Sequence, residues 1–175
     1  MSGEVRLAVL SDTHGRLTED VRRACAGAER ILHAGDVGGG VILDLLEEAA
    51  PVTAVAGNVD PPDEAPLRAT VEAGGWRVLV QHIVWSRGGP SGEVLDLLGR
   101  QGADLVVFGH THQPLCQRTG GTVFLNPGSC GPRRFSLPRT YAEALLSPRE
   151  GCFRIFDLDA PPGAPPLREV RFPRG

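Results

Sequence analysis

The sequence predicts an α/β protein, an αββα four-layer sandwich of two mixed sheets flanked by helices, and three observations carry that expectation. From residue 5 to 56, short apolar runs alternate with amphipathic stretches, the pattern of βαβ units on a largely parallel sheet. From residue 114 onward the helical pattern stops, and short β-rich stretches separated by Pro and Gly clusters read as mostly antiparallel. Each sheet needs both faces covered, so the two portions imply sheets packed face to face with helices outside. A chain of 175 residues fits one domain over 1–175 with room for a real core.

Taken in order, Val5 to Ser11 reads as a strand, Thr18 to Ala28 as a helix, Arg30 to Ala34 as a strand, Val41 to Ala49 as a helix and Val52 to Ala56 as the third strand. The turn-rich Pro61-Pro62-Asp63-Glu64 closes this run. Arg68 to Glu72 and Trp76 to Gln81 then form a hairpin through Gly74-Gly75. A helix over Glu93 to Gln101 and a strand over Asp104 to Phe108 follow, and β stretches are expected at 122–125, 139–146, 152–158 and 167–172. The Pro-rich stretch from Ala160 to Pro166 has only nine residues after it, so it reads as a surface loop before a final strand.

Composition excludes several classes. Hydrophobic residues at 41% and charged residues at 22% exclude a disordered or fibrous chain. A net charge of -3 offers no basic excess, so stable binding of duplex nucleic acid is not expected. No apolar run reaches the length of a membrane span and no secretory signal opens the chain, which points to the cytoplasm. Cys25, Cys116, Cys130 and Cys152 form no paired spacing, so structural zinc is not expected. All 18 basic residues are Arg, which removes Schiff-base chemistry and the P-loop lysine, and Gly38-Gly39-Gly40 is therefore no Walker motif.

The informative feature is what ends each apolar run. Leu7 to Ser11 ends in Asp12-Thr13-His14, Ile31 to Gly35 in Asp36, Val52 to Gly57 in Asn58, Val78 to Gln81 in His82, and Leu105 to Gly109 in His110-Thr111-His112. Ligands of open α/β sheets bind beyond the carboxyl ends of strands, so five polar ends gathered in one sheet converge on one site. Singly, each residue reads as a cap, an Asx turn or a core histidine; jointly, capping does not explain their order. Carboxylate, amide and imidazole donors without thiolates suit Mn²⁺, Fe, Zn²⁺, Ni²⁺ or Co²⁺. In extended backbone, Asp12 with His14 and His110 with His112 point the same way, and Gly35, Gly57 and Gly109 leave room for tight turns or close approach.

In Asp12-x-His14, Gly35-Asp36, Gly57-Asn58, His82 and Gly109-His110-x-His112 the chain resembles the calcineurin-like metallophosphoesterases. It is most similar to their small YfcE-type phosphodiesterases, whose Asn-Pro-Gly-Ser stretch ending in Pro-Arg is matched by Asn126 to Arg133; the resemblance covers about residues 5–158. It implies one metal among Asp12, His14, Asp36 and His112, and a second among Asp36, Asn58, His82 and His110, with Asp36 bridging. It also implies a binuclear phosphodiesterase in which a metal-bridging hydroxide, held by Asp36 and both ions, attacks phosphorus without a protein nucleophile. Mn²⁺ stands first among the two divalent cofactors, ahead of Fe, Zn²⁺, Ni²⁺ and Co²⁺. The substrate is then a small phosphodiester, a nucleotide included; nothing in the sequence decides whether the chain forms a homo-oligomer.

The chain departs from the family at three places. Val59 stands where larger members carry a His after the Asn, so leaving groups that need little protonation are favoured, as for the small members. Ile83-Val84-Trp85 replaces the Gly-His that usually follows the fourth motif, and Val37 is followed by glycines instead of a second Asp. Arg87 and Arg133 are candidates for phosphate contacts. His33 reads as a hydrogen-bonded core residue, Asp60 as a turn stabiliser, Trp85 as packing, and Ser129 as no nucleophile for want of a base. The alternative function is a non-catalytic scaffold on the same fold, as in the retromer subunit that resembles these enzymes.

Overall fold

The computed structural model describes residues 3–86 and 88–175. The chain begins β1 (Val5–Leu10), α1 (Glu19–Cys25), β2 (Arg30–His33), α2 (Gly40–Glu47) and β3 (Val52–Ala54). It continues through β4 (Arg68–Ala73), β5 (Trp76–Gln81), β6 (Trp85–Ser86), β7 (Gly89–Pro90), α3 (Gly92–Gln101) and β8 (Leu105–Val107). The last part is all strand: β9 (Leu115–Thr119), β10 (Thr122–Asn126), β11 (Thr140–Leu146), β12 (Glu150–Asp157) and β13 (Arg168–Pro173).

Two mixed sheets result. The first runs β13-β12-β11-β1-β2-β3, with β1, β2 and β3 parallel and the rest antiparallel. The second runs β4-β5-β8-β10-β9, with β5, β8 and β10 parallel, and β6 with β7 makes a separate ribbon. The carboxyl-terminal strands do not build a sheet of their own, as the change of pattern at residue 114 suggested. Instead β11 pairs with the free side of β1, and residues between them supply the second sheet.

Period-two alternation sorts the side chains into layers. Leu7 and Val9 of β1 meet Val78, Val80, Leu105 and Val107 of the other sheet in the central core. Ala8 and Leu10 point the opposite way, onto Val21 of α1 and Ile42 of α2. On the far side, Leu79, Val106 and Phe124 pack against Val94 and Leu97 of α3. The order is therefore helix, sheet, sheet, helix. Each fully buried Leu or Val here contributes about 1.5–3 kcal/mol over its exposed state, so Leu7→Ala removes one such contribution from the central layer. Trp85 packs, stacked on Phe108 with ring centroids 5.5 Å apart.

The differences from the expected boundaries have local causes. The first helix stops at Cys25 because Ala26 is extended and Gly27 adopts φ +74°, which ends a helix. β9 was not expected; it is an edge strand with partly exposed Gln117 and Arg118, so its pattern carries little apolar signal. Among the described residues, no helix is long and apolar enough to cross a membrane.

Candidate metal centre

All seven strand-end side chains meet at one end of the sandwich, but they come from both sheets. β1, β2 and β3 of the first sheet lead into Asp12, His14, Asp36 and Asn58; β5 and β8 of the second lead into His82, His110 and His112. The expectation of a single sheet is corrected here. The strand ends of two facing sheets share an edge, and Gly109 N–H donates to the His82 carbonyl while Val55 N–H donates to that of His33 to hold their loops in place.

The backbone at these loops is strained. Asp12, His14, Asp36, His110 and His112 all have positive φ, between +48° and +68°. For non-glycine residues this costs on the order of 1 kcal/mol or more each and persists only where the surroundings enforce it. The enforcement is visible: Asp12 N–H donates to the Gly35 carbonyl and His14 N–H to the Asp36 carbonyl, both at 2.9 Å. Gly57 is required for the same closeness, since a Cβ there would stand 2.1 Å from Asp36 Oδ1.

Donor atoms then converge without satisfying one another. Asp12 is fully buried; its Oδ2 accepts from Ser11 Oγ at 2.5 Å and from His110 N–H at 3.2 Å. Its Oδ1 has no hydrogen bond and faces His112 Nε2 at 3.1 Å and His14 Nε2 at 3.8 Å. The two imidazole Nε2 atoms are 3.3 Å apart. Asp36 divides its oxygens similarly: Oδ1 accepts from Val59 N–H at 3.1 Å, while Oδ2 lies 3.8 Å from His14 Nε2 and 3.3 Å from His82 Nε2.

His82 shows the logic most clearly. Its Nδ1 is 2.6 Å from the Ala34 carbonyl, which can only accept, so Nδ1 carries the proton. In the neutral ring the Nε2 lone pair then points at Asp36 Oδ2 and, at 3.1 Å, Asn58 Oδ1, both acceptors. His110 Nδ1 reaches the same Asn58 oxygen at 2.9 Å. Lone pairs gathered around a point without a proton between them are what a cation needs, and the outer bond from His82 to a carbonyl is the usual way of aiming a ligating imidazole. Two groups of three satisfy metal spacing, Asp12 with His14 and His112, and Asp12 with Asp36 and His82.

The two sides of this arrangement differ. Asp12 and His112 are buried and His14 half-buried, whereas Asn58 and His110 are exposed. Burial pulls the Asp12 carboxyl upward, but His112 and Ser11 beside it and the charge of His82 leave it below its ordinary value. Burial, then the charge of Arg134, lowers the His14 imidazole, with the Asp12 and Asp36 carboxylates opposing. Both shifts favour the deprotonated forms that bind metal.

Several residues behind the site brace it, and Ser129, Asp60 and His33 play the supporting roles their sequence positions suggest. Asn126 Nδ2 donates to the Gly109 carbonyl at 2.9 Å and to Thr111 Oγ1 at 3.0 Å, bracing the His110–His112 loop. Ser129 Oγ donates to the Asp12 carbonyl at 3.0 Å, and so serves the backbone, not the reaction. Asp60 accepts from the Gly57, Val37 and Gly38 N–H groups, tying two loops together. His33 is buried, its Nε2 2.9 Å from Thr13 Oγ1 and its Nδ1 accepting from Gly35 N–H; burial lowers it to about 4. All four cysteines are buried and free, and burial pushes Cys116 and Cys130 up to about 12, which leaves those two thiols inert.

Of the two arginines singled out, Arg87 lies outside the described residues. Arg133 is turned to Asp159, with Nη2 to Oδ2 at 2.6 Å. The next residue, Arg134, instead lines a cavity with His110 and His112. Nothing in the sequence separates these adjacent arginines.

Comparison with known proteins agrees with this architecture. The family model for the calcineurin-like phosphoesterase superfamily domain matches residues 5–147. A relative from Methanothermobacter thermautotrophicus named as a probable metallophosphoesterase is 37% identical, over 96% of this chain and 99% of its own. YfcE, a phosphoesterase from E. coli, superposes with a TM-score of 0.69 at 23% identity, over 95% of this chain and 98% of its own. Vps29 from Entamoeba histolytica, solved in complex with Zn²⁺, superposes with a TM-score of 0.74 at 21% identity, over 98% of this chain and all of its own.

Proposed function

This chain belongs to the calcineurin-like phosphoesterase superfamily, and from that membership we propose that it is a phosphodiesterase dependent on two divalent cations. The observation that carries the reading is the buried, unpaired Asp12 Oδ1 facing two imidazole nitrogens, with Asp36 Oδ2 reaching His14 on one side and His82 on the other. Asp12, His14, His112 and Asp36 would hold one ion, and Asp36, Asn58, His82 and His110 the other. Mn²⁺ suits this oxygen and imidazole set first, with Fe, Zn²⁺, Ni²⁺ and Co²⁺ as alternatives. Ions bound there would polarise the phosphoryl oxygens and supply a deprotonated water at neutral pH.

The chain's own residues orient and select. Val59 N–H and the Ala34 carbonyl set the directions of the Asp36 and His82 side chains before any ligand arrives. Asp12, Asp36 and the imidazole nitrogens around them give the site donors for cations, and the small number of carboxylates leaves room for one anionic ester. After Asn58 comes Val59, exposed and without a titratable group, so no imidazole there protonates a leaving group. That favours diesters with good leaving groups over unactivated monoesters.

Hydrolysis of bis(p-nitrophenyl) phosphate with and without Mn²⁺, in the native chain and in Asp36→Asn, tests the proposal. Turnover that needs the metal and the carboxylate is expected; equal rates in all four conditions would overturn it. A non-catalytic scaffold is the second reading, favoured by the fold shared with Vps29. The complete set of seven donors weighs against it. It gains if the purified chain takes up fewer than two ions and turns nothing over.

A further inference from the structure

Among the described residues, six non-glycine positions have left-handed backbone; five are donors of the candidate centre, and the sixth is Phe135, at φ +53°. Phe135 is also 94% exposed. An aromatic ring held out of the core on a strained backbone costs stability twice, once in strain and once in unburied apolar area. Strained backbone of this kind clusters at active sites and ligand clamps.

The segment presenting it is anchored. Arg139 Nε donates to the Gly131 carbonyl at 3.0 Å, and its Nη2 donates to the Cys130 carbonyl and to Thr18 Oγ1. Its Nη1 pairs with Asp20 and Asp159, both at 3.0 Å. Leu137 N–H closes a turn onto the Arg134 carbonyl at 3.2 Å. From this base Arg134, Phe135 and Leu137 wall a cavity of about 200 Å³ whose other side is His110 and His112. A cavity of ~150 Å³ is enough to hold benzene, so the volume suits one aromatic ring. Arg133 is neutralised by Asp159, whereas among the described residues Arg134 has no ion-pair partner.

We propose that Arg134 and Phe135 form a subsite beside His110 and His112 that receives an aromatic ester group of the substrate, its ring on Phe135 and its phosphate oxygens on Arg134. This rests on the phosphodiesterase reading and narrows the substrate class to aryl or nucleoside phosphate esters. The charge of Arg134, already felt by His14, is then shared with the bound anion. A second cleft opens at the Asn58 and His82 end between Leu67 and Ile83, but its arginine, Arg68, is paired with Glu93 at 3.0 Å. Among the described residues, that cleft therefore offers apolar surface without an unpaired arginine.

The experiment is calorimetric titration of the Mn²⁺-supplemented protein with phenyl phosphate and with methyl phosphate, beside a separate assay of bis(p-nitrophenyl) phosphate turnover. The native chain is expected to prefer the phenyl ester by about tenfold, the scale of one aromatic stack. Phe135→Ala brings the ratio near one and Phe135→Trp preserves it, while Arg134→Gln weakens both esters by a similar factor. A native ratio near one, a ratio unmoved by Phe135→Ala, or a ratio lost only in Leu67→Ala overturns the subsite, as does failure to bind either ester. Binding with the expected ratio but no turnover breaks the phosphodiesterase reading and leaves the subsite standing.

Discussion

The loops carrying the seven donors and the segment 126–140 behind them treat their polar groups in opposite ways. In the loops, Asp12 Oδ1 and His112 Nδ1 are buried without a partner, and five residues hold left-handed backbone. Behind them, Asn126 spends both amide atoms, donating to Gly109 and Thr111 and accepting from Gly128 N–H. Thr140 Oγ1 donates to the Pro127 carbonyl at 2.6 Å, and Ser129 Oγ to Asp12. The satisfied segment over-determines the unsatisfied one. That division lets a small protein keep strain and unmet bonding capacity at one spot without the loops relaxing onto one another.

The comparison is broken most severely at Asp36, the carboxylate between both imidazole pairs. Asp36→Asn should lower metal-dependent turnover by at least about a hundredfold, more than an outer bond is worth, because an amide replaces the shared anionic oxygen. Circular dichroism should stay native, and a fold lost along with activity would assign Asp36 to the bracing side instead. The loops next face acid. His33 lies near 4 when folded and 6.5 when free, so the unfolded chain binds the extra proton between those values. Stability is therefore intact above pH 6.5 and falls as pH drops toward 4, by about 3 kcal/mol from this group alone. Melting curves of the native chain and His33→Asn across that window measure it; parallel pH dependences would remove His33 from the account.

On the bracing side, Asn126→Ala should cost about 2 kcal/mol in urea unfolding, because the Gly109 carbonyl and Gly128 N–H lose a buried partner. A loss below a few tenths would show that the His110–His112 loop holds itself. The smallest effect is in the metal-free protein, where Asp12→Asn should cost no more than about 1 kcal/mol, since the surroundings that favour the ionised carboxylate lose their partner while the amide keeps an acceptor for Ser11. The same change should abolish the rise in melting temperature that Mn²⁺ gives the native chain. A loss of several kcal/mol in metal-free Asp12→Asn would mean that the carboxylate is structural.

Much of this was legible in the residues. The strands β1, β2, β3, β5 and β8 announced themselves as apolar runs, and the polar residues just beyond them named the candidate donors, because a chain that leaves the core must change polarity. His33 was legible as a core residue since it sits among Ile31, Leu32 and Ala34 inside such a run. β9 was not, because an edge strand with half-exposed side chains has no strong alternation. Arg134 and Phe135 were hidden for another reason. Which of two adjacent arginines faces the site depends on one turn of backbone and on where Asp159 stands, 26 residues away from Arg133.

By itself, the sequence determined the layers, the strands built on apolar runs and the seven polar ends, since periodicity and the placement of charge are local properties written residue by residue. Only the tertiary structure decided that two sheets, not one, deliver those ends, and that β11 completes the first sheet across more than a hundred residues. It also decided which oxygen of Asp36 faces the imidazoles and which nitrogen of His82 is free. Those choices follow from hydrogen bonds to Val59 and Ala34, partners brought near by packing, and no local pattern encodes them.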